Sequence, residues 1–271
     1  VSRSDFLKAS GATLAGFAFN GFLPERAFAG EFAGESVASF GIVTDIHYCD
    51  GPSGTTRFYR ESIAKLNECV DLMNSVQPEF LIEMGDFKDT VWGEPVSKTV
   101  EYLQTIESVY QEFNGPCYHV LGNHDMDRIS KSTFLANISN PAGIDPGAKH
   151  YSFDSGGIHF VVLDANYTSE GVDYDSLNYD WTDSNVPGHE LDWLEADLAA
   201  ADKPAIIFLH QVLSDLGGNG HEVNNAAEVR EVLENSGKVL AVFAGHYHDG
   251  YYSVKNGIHY YTLKALVAGS G

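Results

Sequence analysis

The sequence has 271 residues, 44% of them hydrophobic and 12% aromatic, which suits one large globular domain and excludes extended disorder. Its 38 Asp and Glu residues against 16 Lys and Arg residues give a formal net charge of -22. Such a surface repels phosphate backbones and excludes general nucleic-acid binding, whereas a small anionic substrate remains compatible if bound cations reverse the field locally.

Residues 1–29 are typical of an export signal. A short polar start precedes an apolar stretch over residues 9–22, and small residues just before Gly30 suit cleavage there. The start resembles a twin-arginine signal, except that Ser4 stands where the second arginine belongs. We therefore expect an exported protein, whether periplasmic, secreted or at the cell surface, with an uncleaved anchoring helix as the alternative. No later apolar run is long enough to span a bilayer.

From residue 37 onward, short apolar runs alternate with longer segments of helical spacing. The predicted strands, buried on both faces, cover residues 37–44, 80–84, 117–121, 158–163, 205–209 and 239–244. The predicted helices cover residues 58–74, 97–113, 190–200 and 226–235. Gly156 and Gly157 indicate a hairpin, so mixed sheets are expected. This alternation predicts layered α/β packing. Residues 30–271 are expected to form a single domain. Whether a further closing strand follows Gly271 is left open.

Polar residues directly follow five of the predicted strands. They are Asp45 with His47, then Asp86, then Asn123 with His124 and Asp125, then His210, and finally His246 with His248. Because ligands gather at the carboxyl edge of the strands in α/β sheets, these side chains can converge. Each residue alone has an ordinary explanation as a turn residue or a satisfied core histidine, but five such strand ends together favour a metal site.

The residue types in this set indicate two metal ions. Mixed imidazole and carboxylate ligands suit Mn, Fe, Zn or Co, and the lack of thiolates in the set disfavours a structural zinc site. Asp86 is the best candidate for a carboxylate that bridges two cations roughly 3.5–4 Å apart. A water shared by the two ions would lose a proton near neutral pH and become an attacking hydroxide.

The order D-x-H, G-D, G-N-H-D, a strand-end His and G-H-x-H, spread over residues 40–249, resembles the calcineurin-like metallophosphoesterases. The resemblance implies two packed mixed β-sheets flanked by helices, and hydrolysis of a phosphoester or phosphoanhydride by a metal-bridging hydroxide. It implies a first ion bound by Asp45, His47, Asp86 and His248, and a second bound by Asp86, Asn123, His210 and His246. It also makes His124 a proton donor to the leaving group or a clamp on the phosphate, oriented by Asp125.

Two further stretches, one shortly after D-x-H and one from Gly245 onward, resemble the manganese-dependent ADP-ribose/CDP-alcohol diphosphatase branch. That likeness implies manganese, and a nucleoside diphosphate linked to a sugar or alcohol as the substrate. Arg57 and Arg60 would then bind the second phosphate, or would instead form ion pairs on a helix. Asn123 and His124 are further candidates for substrate contacts.

The sequence departs from the family pattern at Asp89, and functions other than diphosphate hydrolysis remain as alternatives. Asp89 stands where purple acid phosphatases carry a tyrosine, so a charge-transfer iron site is not expected. Lys88 is expected to be exposed, with a phosphate contact as its alternative. The rival functions are a broad phosphomonoesterase or cyclic-phosphate diesterase, and a non-catalytic protein-binding scaffold. No nucleic-acid partner and no membrane span after signal removal are expected, and the oligomeric state is left open.

Overall fold

The structure, a computed structural model, describes residues 38–176 and 178–269. The expected export segment over residues 1–29 therefore lies outside the described residues. The described part contains nine strands in two sheets, with five α-helices around them. Each helix in these ranges is too short or too polar to cross a bilayer.

The first sheet is parallel and has three strands. In spatial order these are β1 (Phe40–Val43), β2 (Phe80–Glu83) and β3 (Cys117–His119). The helices that connect them are α1 (Ser62–Val76) and α2 (Val96–Tyr110), and the short α3 (Lys131–Leu135) follows β3. Helix α1 buries Leu66, Val70 and Met73 at helical spacing, so one stripe of the helix packs on the outer face of the sheet.

The second sheet is mixed and has six strands. They are β4 (Tyr151–Ser155), β5 (Ile158–Val162), β6 (Ala205–Phe208), β7 (Val239–Ala244), β8 (Asp249–Lys255) and β9 (Ile258–Lys264), in the order β4-β5-β6-β7-β9-β8. The central four strands run parallel, and β4 and β8 pair antiparallel at the two edges. Helices α4 (Gly188–Ala200) and α5 (Ala226–Ser236) pack on the outer face of this sheet.

Aromatic side chains fill the space between the two sheets. The Phe80 ring lies 4.9 Å from the Phe160 ring, and Phe160 stacks on Phe208 at 5.8 Å. The resulting helix–sheet–sheet–helix layers confirm the expected fold. This packing lets the carboxyl ends of strands from both sheets meet at one edge, where the polar clusters lie.

All six predicted strands and all four predicted helices are present, with ends displaced by a few residues. The second sheet is mixed, as expected, whereas the described first sheet is parallel throughout. The β8–β9 hairpin was not predicted, since β8 is an exposed edge strand without apolar alternation. The five-residue helix α3 is too short to produce a periodic signal.

Candidate metal centre

The chain turns sharply at each strand end that carries a candidate ligand. Asp45, His47, Asp86 and His246 have positive φ angles of 52°, 49°, 54° and 66°. Residues with a Cβ rarely adopt this conformation, and such strain clusters at functional sites. Backbone hydrogen bonds hold the first two turns together, from Asp45 N to Gly85 O at 3.1 Å and from His47 N to Asp86 O at 2.8 Å.

Two glycines allow these turns to approach one another. A Cβ on Gly122 would collide with the backbone nitrogen and the carboxylate of Asp86. A Cβ on Gly245 would collide with the Thr44 hydroxyl and lie 2.6 Å from the Asp45 carboxylate. Any other residue at these positions would push the strand ends apart.

The first ligand group joins Asp45, His47 and His248, whose ligand atoms all lie within 4.8 Å of one another. His248 Nε2 is 3.2 Å from Asp45 Oδ1 and also 3.2 Å from His47 Nε2. Two imidazole nitrogens this close repel unless a proton or a cation lies between them. The geometry therefore fits a cation at this point.

The second ligand group joins Asp86, His210 and His246, again within 4.8 Å. Asp86 Oδ2 lies 3.3 Å from His210 Nε2 and 3.4 Å from His47 Nε2, so this carboxylate stands between the two groups. That is the position a bridging ligand requires.

Three buried atoms at the second group have no hydrogen-bond partner among the described residues. They are His210 Nε2, His246 Nε2 and Asn123 Oδ1. Buried polar atoms without partners are rare and costly, so their gathering here fits a metal ion that they would coordinate. The seven expected ligands thus come from distant parts of the chain and meet in one place.

Carboxylates dominate the electrostatics of this buried centre. Burial opposes the charged form of His47, but Asp86, Asp45 and Asp89 outweigh it and raise the His47 pKa to about 9. Burial likewise opposes protonation of His210, yet Asp86 raises its pKa to about 9. Positive charge is therefore favoured at both points, which is what divalent cations supply.

His124 lies on the turn after β3 and faces a carboxylate that was not predicted. Its Nδ1 is 3.2 Å from Asp127 Oδ2. The Asp125 carboxylate instead accepts backbone N–H groups of Gly122 at 2.8 Å, Phe87 at 2.9 Å and Asp86 at 3.1 Å. The expectation that Asp125 orients His124 is therefore wrong. Residues 124–126 form a 3₁₀ turn, in which side chains three positions apart eclipse each other, so Asp127 comes to face His124.

Lys88 is fully buried, which contradicts the expectation of an exposed side chain. Its ammonium group forms an ion pair with Asp127 and donates to the carbonyl oxygens of His124 at 2.5 Å and Asp127 at 2.9 Å. These partners explain how a lysine tolerates burial. Lys88 therefore holds the turn that carries His124.

The two candidate arginines lie in different surroundings. Arg57 Nη1 lies 3.3 Å from Asp89 Oδ2 and 3.4 Å from His124 Nε2, so its guanidinium faces the centre. Arg60 pairs instead with exposed Asp50 at 2.5 Å, which is the ion-pair alternative. Of the two, only Arg57 lies beside residues of the candidate centre.

Asp89, at the tyrosine position of purple acid phosphatases, holds His47 in place. Its Oδ2 accepts from His47 Nδ1 at 3.1 Å, which leaves His47 Nε2 free to face the centre. Asp89 also forms a close group with His47 and His124. Sequence reasoning gave Asp89 no role, although its spacing from Asp86 was noticed.

The long loop between β5 and α4 forms one wall of the centre. Tyr179 accepts a hydrogen bond from Asn123 Nδ2 at 2.9 Å. The Trp181 ring, 39% exposed, lies 5.9 Å from the His246 ring. His221, from the loop after β6, lies 4.9 Å from the same ring. No motif marks these residues in the sequence.

Comparisons with known proteins agree with this geometry. The model of the calcineurin-like phosphoesterase family matches residues 38–250. A manganese-dependent ADP-ribose/CDP-alcohol diphosphatase of Oryza sativa subsp. japonica is 28% identical over 86% of this chain and 84% of its own length. The Homo sapiens protein of the same name is 23% identical over 86% of this chain and 84% of its own length.

The fold has a solved counterpart in a dimetal phosphatase from Danio rerio. The two structures superpose with a TM-score of 0.75 at 22% sequence identity, covering 86% of this chain and 89% of the other. A purple acid phosphatase of yellow lupin gives a TM-score of 0.59 at 14% identity, over 84% of this chain and 44% of the other. These likenesses establish the same layered fold.

Proposed function

The chain belongs to the calcineurin-like phosphoesterase family, and from this premise we propose that it is a manganese enzyme acting on nucleoside diphosphates linked to a sugar or alcohol. The proposed reaction is hydrolysis within the diphosphate. Metal-dependent phosphoesterase activity follows from the family and from the two ligand groups. The diphosphate substrate and the choice of manganese are suggested by the names of the relatives.

The observation that carries the proposal is the position of Asp86 between the two ligand groups, with Arg57 beside them. Asp86 Oδ2 lies within 3.4 Å of ring nitrogens from both groups. Cations held there by Asp45, His47, Asp86, Asn123, His210, His246 and His248 would neutralise phosphate charge and lower the pKa of a bound water. Arg57, 29% exposed, would bind a further phosphate group.

His124 would transfer a proton to the leaving oxygen. The Asp127 carboxylate accepts from His124 Nδ1, so the transferred proton would be carried on Nε2, the nitrogen that Arg57 faces in the structure. When the bond between phosphorus and the leaving oxygen breaks, that oxygen takes the Nε2 proton. Arg57, next to His124 Nε2, would hold the departing phosphate at the same time.

Aromatic groups on the rim suit a nucleoside. Trp181 and His221 lie beside the His246 ring, and Trp181 is 39% exposed, so part of its aromatic face is accessible. Such faces stack on planar rings, which a simple phosphate ester of an aliphatic alcohol lacks.

A four-substrate assay with Mn²⁺ tests the proposal. ADP-ribose, CDP-choline, a nitrophenyl monoester and a bis-nitrophenyl diester would be compared by kcat/KM under one set of conditions. We expect the two diphosphates to be preferred. Hydrolysis of the simple esters alone would overturn the diphosphate assignment and favour the phosphomonoesterase or cyclic-phosphate diesterase alternative.

Export is a separate proposal that is supported by the sequence of residues 1–29. Expression of the gene in its host followed by mass spectrometry of the mature N-terminus would test it. We expect the mature chain to begin near Gly30 and to be recovered outside the cytoplasm. A cytoplasmic protein that retains residues 1–29 would contradict export.

A further inference from the structure

We propose that Tyr179 is a positioning residue for the metal centre: its hydroxyl holds the Asn123 amide so that the amide oxygen is directed at the second cation. This inference rests on the proposed two-metal function. It deepens that function by assigning part of the metal affinity to a residue outside the ligand set. Tyr179 lies on the loop between β5 and α4, far in sequence from every candidate ligand.

The amide of Asn123 has two chemically different ends. Its oxygen can coordinate a cation, whereas its NH₂ group carries two donors and cannot. Asn123 is fully buried, and its Nδ2 donates to the Tyr179 hydroxyl at 2.9 Å, while its Oδ1 has no hydrogen-bond partner in the part of the chain that the structure describes. The hydroxyl therefore satisfies the end that cannot bind metal and leaves the other end free.

Removing the hydroxyl would leave the Asn123 NH₂ group buried without this acceptor. The amide would then gain by rotating or shifting toward another acceptor, and the carboxylates nearby offer several. Asp86 Oδ1 already accepts from the adjacent backbone N–H of His124 at 2.7 Å, so acceptors lie close to this turn. Either movement takes the amide oxygen away from the second cation.

The loop that carries Tyr179 is fixed independently of Asn123. Asp173 on this loop pairs with Lys131 at 2.8 Å and with Lys149 at 2.5 Å. Buried Tyr174 donates its hydroxyl to Asp180 O at 2.5 Å, within the same loop. Tyr179 is thus held in place by its own loop, and the Tyr174 hydroxyl offers a control that concerns loop structure alone.

The test is a Mn²⁺ titration of Tyr179→Phe, with metal binding measured by calorimetry and by the electron paramagnetic resonance signal of a coupled manganese pair. Phenylalanine retains the ring and removes only the hydroxyl. We expect affinity at the second site to fall about 10- to 100-fold while the first site is unchanged. The coupled signal should then require more Mn²⁺. Tyr174→Phe, which removes the hydroxyl bound to Asp180 O, measures the effect of loop position and should cost less second-site affinity than Tyr179→Phe.

The same substitution in an Asn123→Asp background tests whether Tyr179 affects metal affinity through the Asn123 amide. A carboxylate has two oxygens and no N–H group, so it has no amide end to be selected. If Tyr179 acts through the amide, adding Tyr179→Phe to Asn123→Asp should change second-site affinity by no more than roughly twofold. An equal loss in both backgrounds, a loss at both sites, or no loss in Tyr179→Phe would overturn the inference.

The outcome separates this inference from the proposed function. Wild-type protein that binds a single Mn²⁺ would overturn both. Wild-type protein that binds two ions but leaves ADP-ribose and CDP-choline intact would overturn the substrate assignment. In that second case the titration of Tyr179→Phe still decides the positioning role by itself.

Discussion

The two sheets contribute to the centre in different ways. The first-sheet half, formed by the turns after β1, β2 and β3, supplies both carboxylate ligands and the amide. Around them it buries the further charged groups Asp89, Asp125, Asp127 and Lys88. The second-sheet half, formed by the turns after β6 and β7, supplies only the imidazoles of His210, His246 and His248.

The second-sheet half also depends on the first for its hydrogen bonds. His210 Nδ1 donates to Met84 O at 2.7 Å, and the His246 backbone N–H donates to the Asp45 carboxylate at 3.0 Å. The charge of the centre and the orientation of its ligands are therefore set mainly by the first-sheet half. The other half completes the ligand set with imidazole nitrogens and no carboxylate, and changes in the two halves should therefore differ in kind.

The largest effect should come from the reacting group of the first-sheet half. We expect His124→Ala to lower kcat by about 10²–10⁴-fold, because a positioned proton donor is lost. Manganese content measured by elemental analysis should be unchanged, since His124 is not in either proposed ligand set. Full activity in a variant with normal metal content would show that the proton reaches the leaving oxygen from elsewhere.

Asp127→Ala should lower the stability of the first-sheet half. It leaves buried Lys88 without its charged partner, and we expect a loss of about 3–5 kcal/mol in the free energy of unfolding, measured by urea denaturation. Glu101→Ala is the matched control, because it breaks an exposed pair with Lys98 and should hardly change the free energy of unfolding. Equal losses in the two variants would mean that the burial of Lys88 has no energetic weight.

Metal binding should stabilise the contact between the halves. At a free Mn²⁺ concentration 100 times the Kd, we expect about 2.7 kcal/mol of added stability, seen as a higher Tm that a chelator reverses. Asp86→Asn should remove most of this gain, because Asp86 stands between the two ligand groups. A Tm that does not respond to Mn²⁺ would contradict the two-metal centre.

The smallest effect concerns a buried amide that ties the halves together. Asn166 Nδ2 donates to Leu121 O at 2.7 Å beside the first sheet, and Gln211 Nε2, next to His210, donates to Asn166 Oδ1 at 2.6 Å. Asn166→Ala should cost about 1–3 kcal/mol of stability in denaturant unfolding, since it leaves these groups unpaired. Asn74→Ala, at a more exposed amide, should cost less. A larger loss of stability in Asn74→Ala than in Asn166→Ala would show that Asn166 does not link the two halves.

The fold and the ligand set could be predicted from the sequence for physical reasons. Strands buried on both faces give continuous apolar runs, and the polar residues directly after them lie at one sheet edge. The candidate ligands Asp45, Asp86 and His210 all follow such runs, and all three lie in the centre. The β8–β9 hairpin was not predicted, because the exposed edge strand β8 lacks that apolar signal.

The supporting residues could not be predicted in the same way. The family resemblance implied Asp125 as the partner of His124, but a single 3₁₀ turn brings Asp127 there instead. Lys88 was expected to be exposed because lysines usually are, and only its three acceptors explain its burial. Tyr179 reaches Asn123 across 56 positions, a distance that no local pattern encodes.

The left-handed backbone at Asp45, His47, Asp86 and His246 has a consequence for engineering. Glycine adopts that conformation without strain, so glycine at these four positions would relieve backbone strain in the metal-free protein. Each such gain would delete a candidate metal ligand. Variant libraries for this chain should therefore hold these positions constant and look for robustness elsewhere in the scaffold.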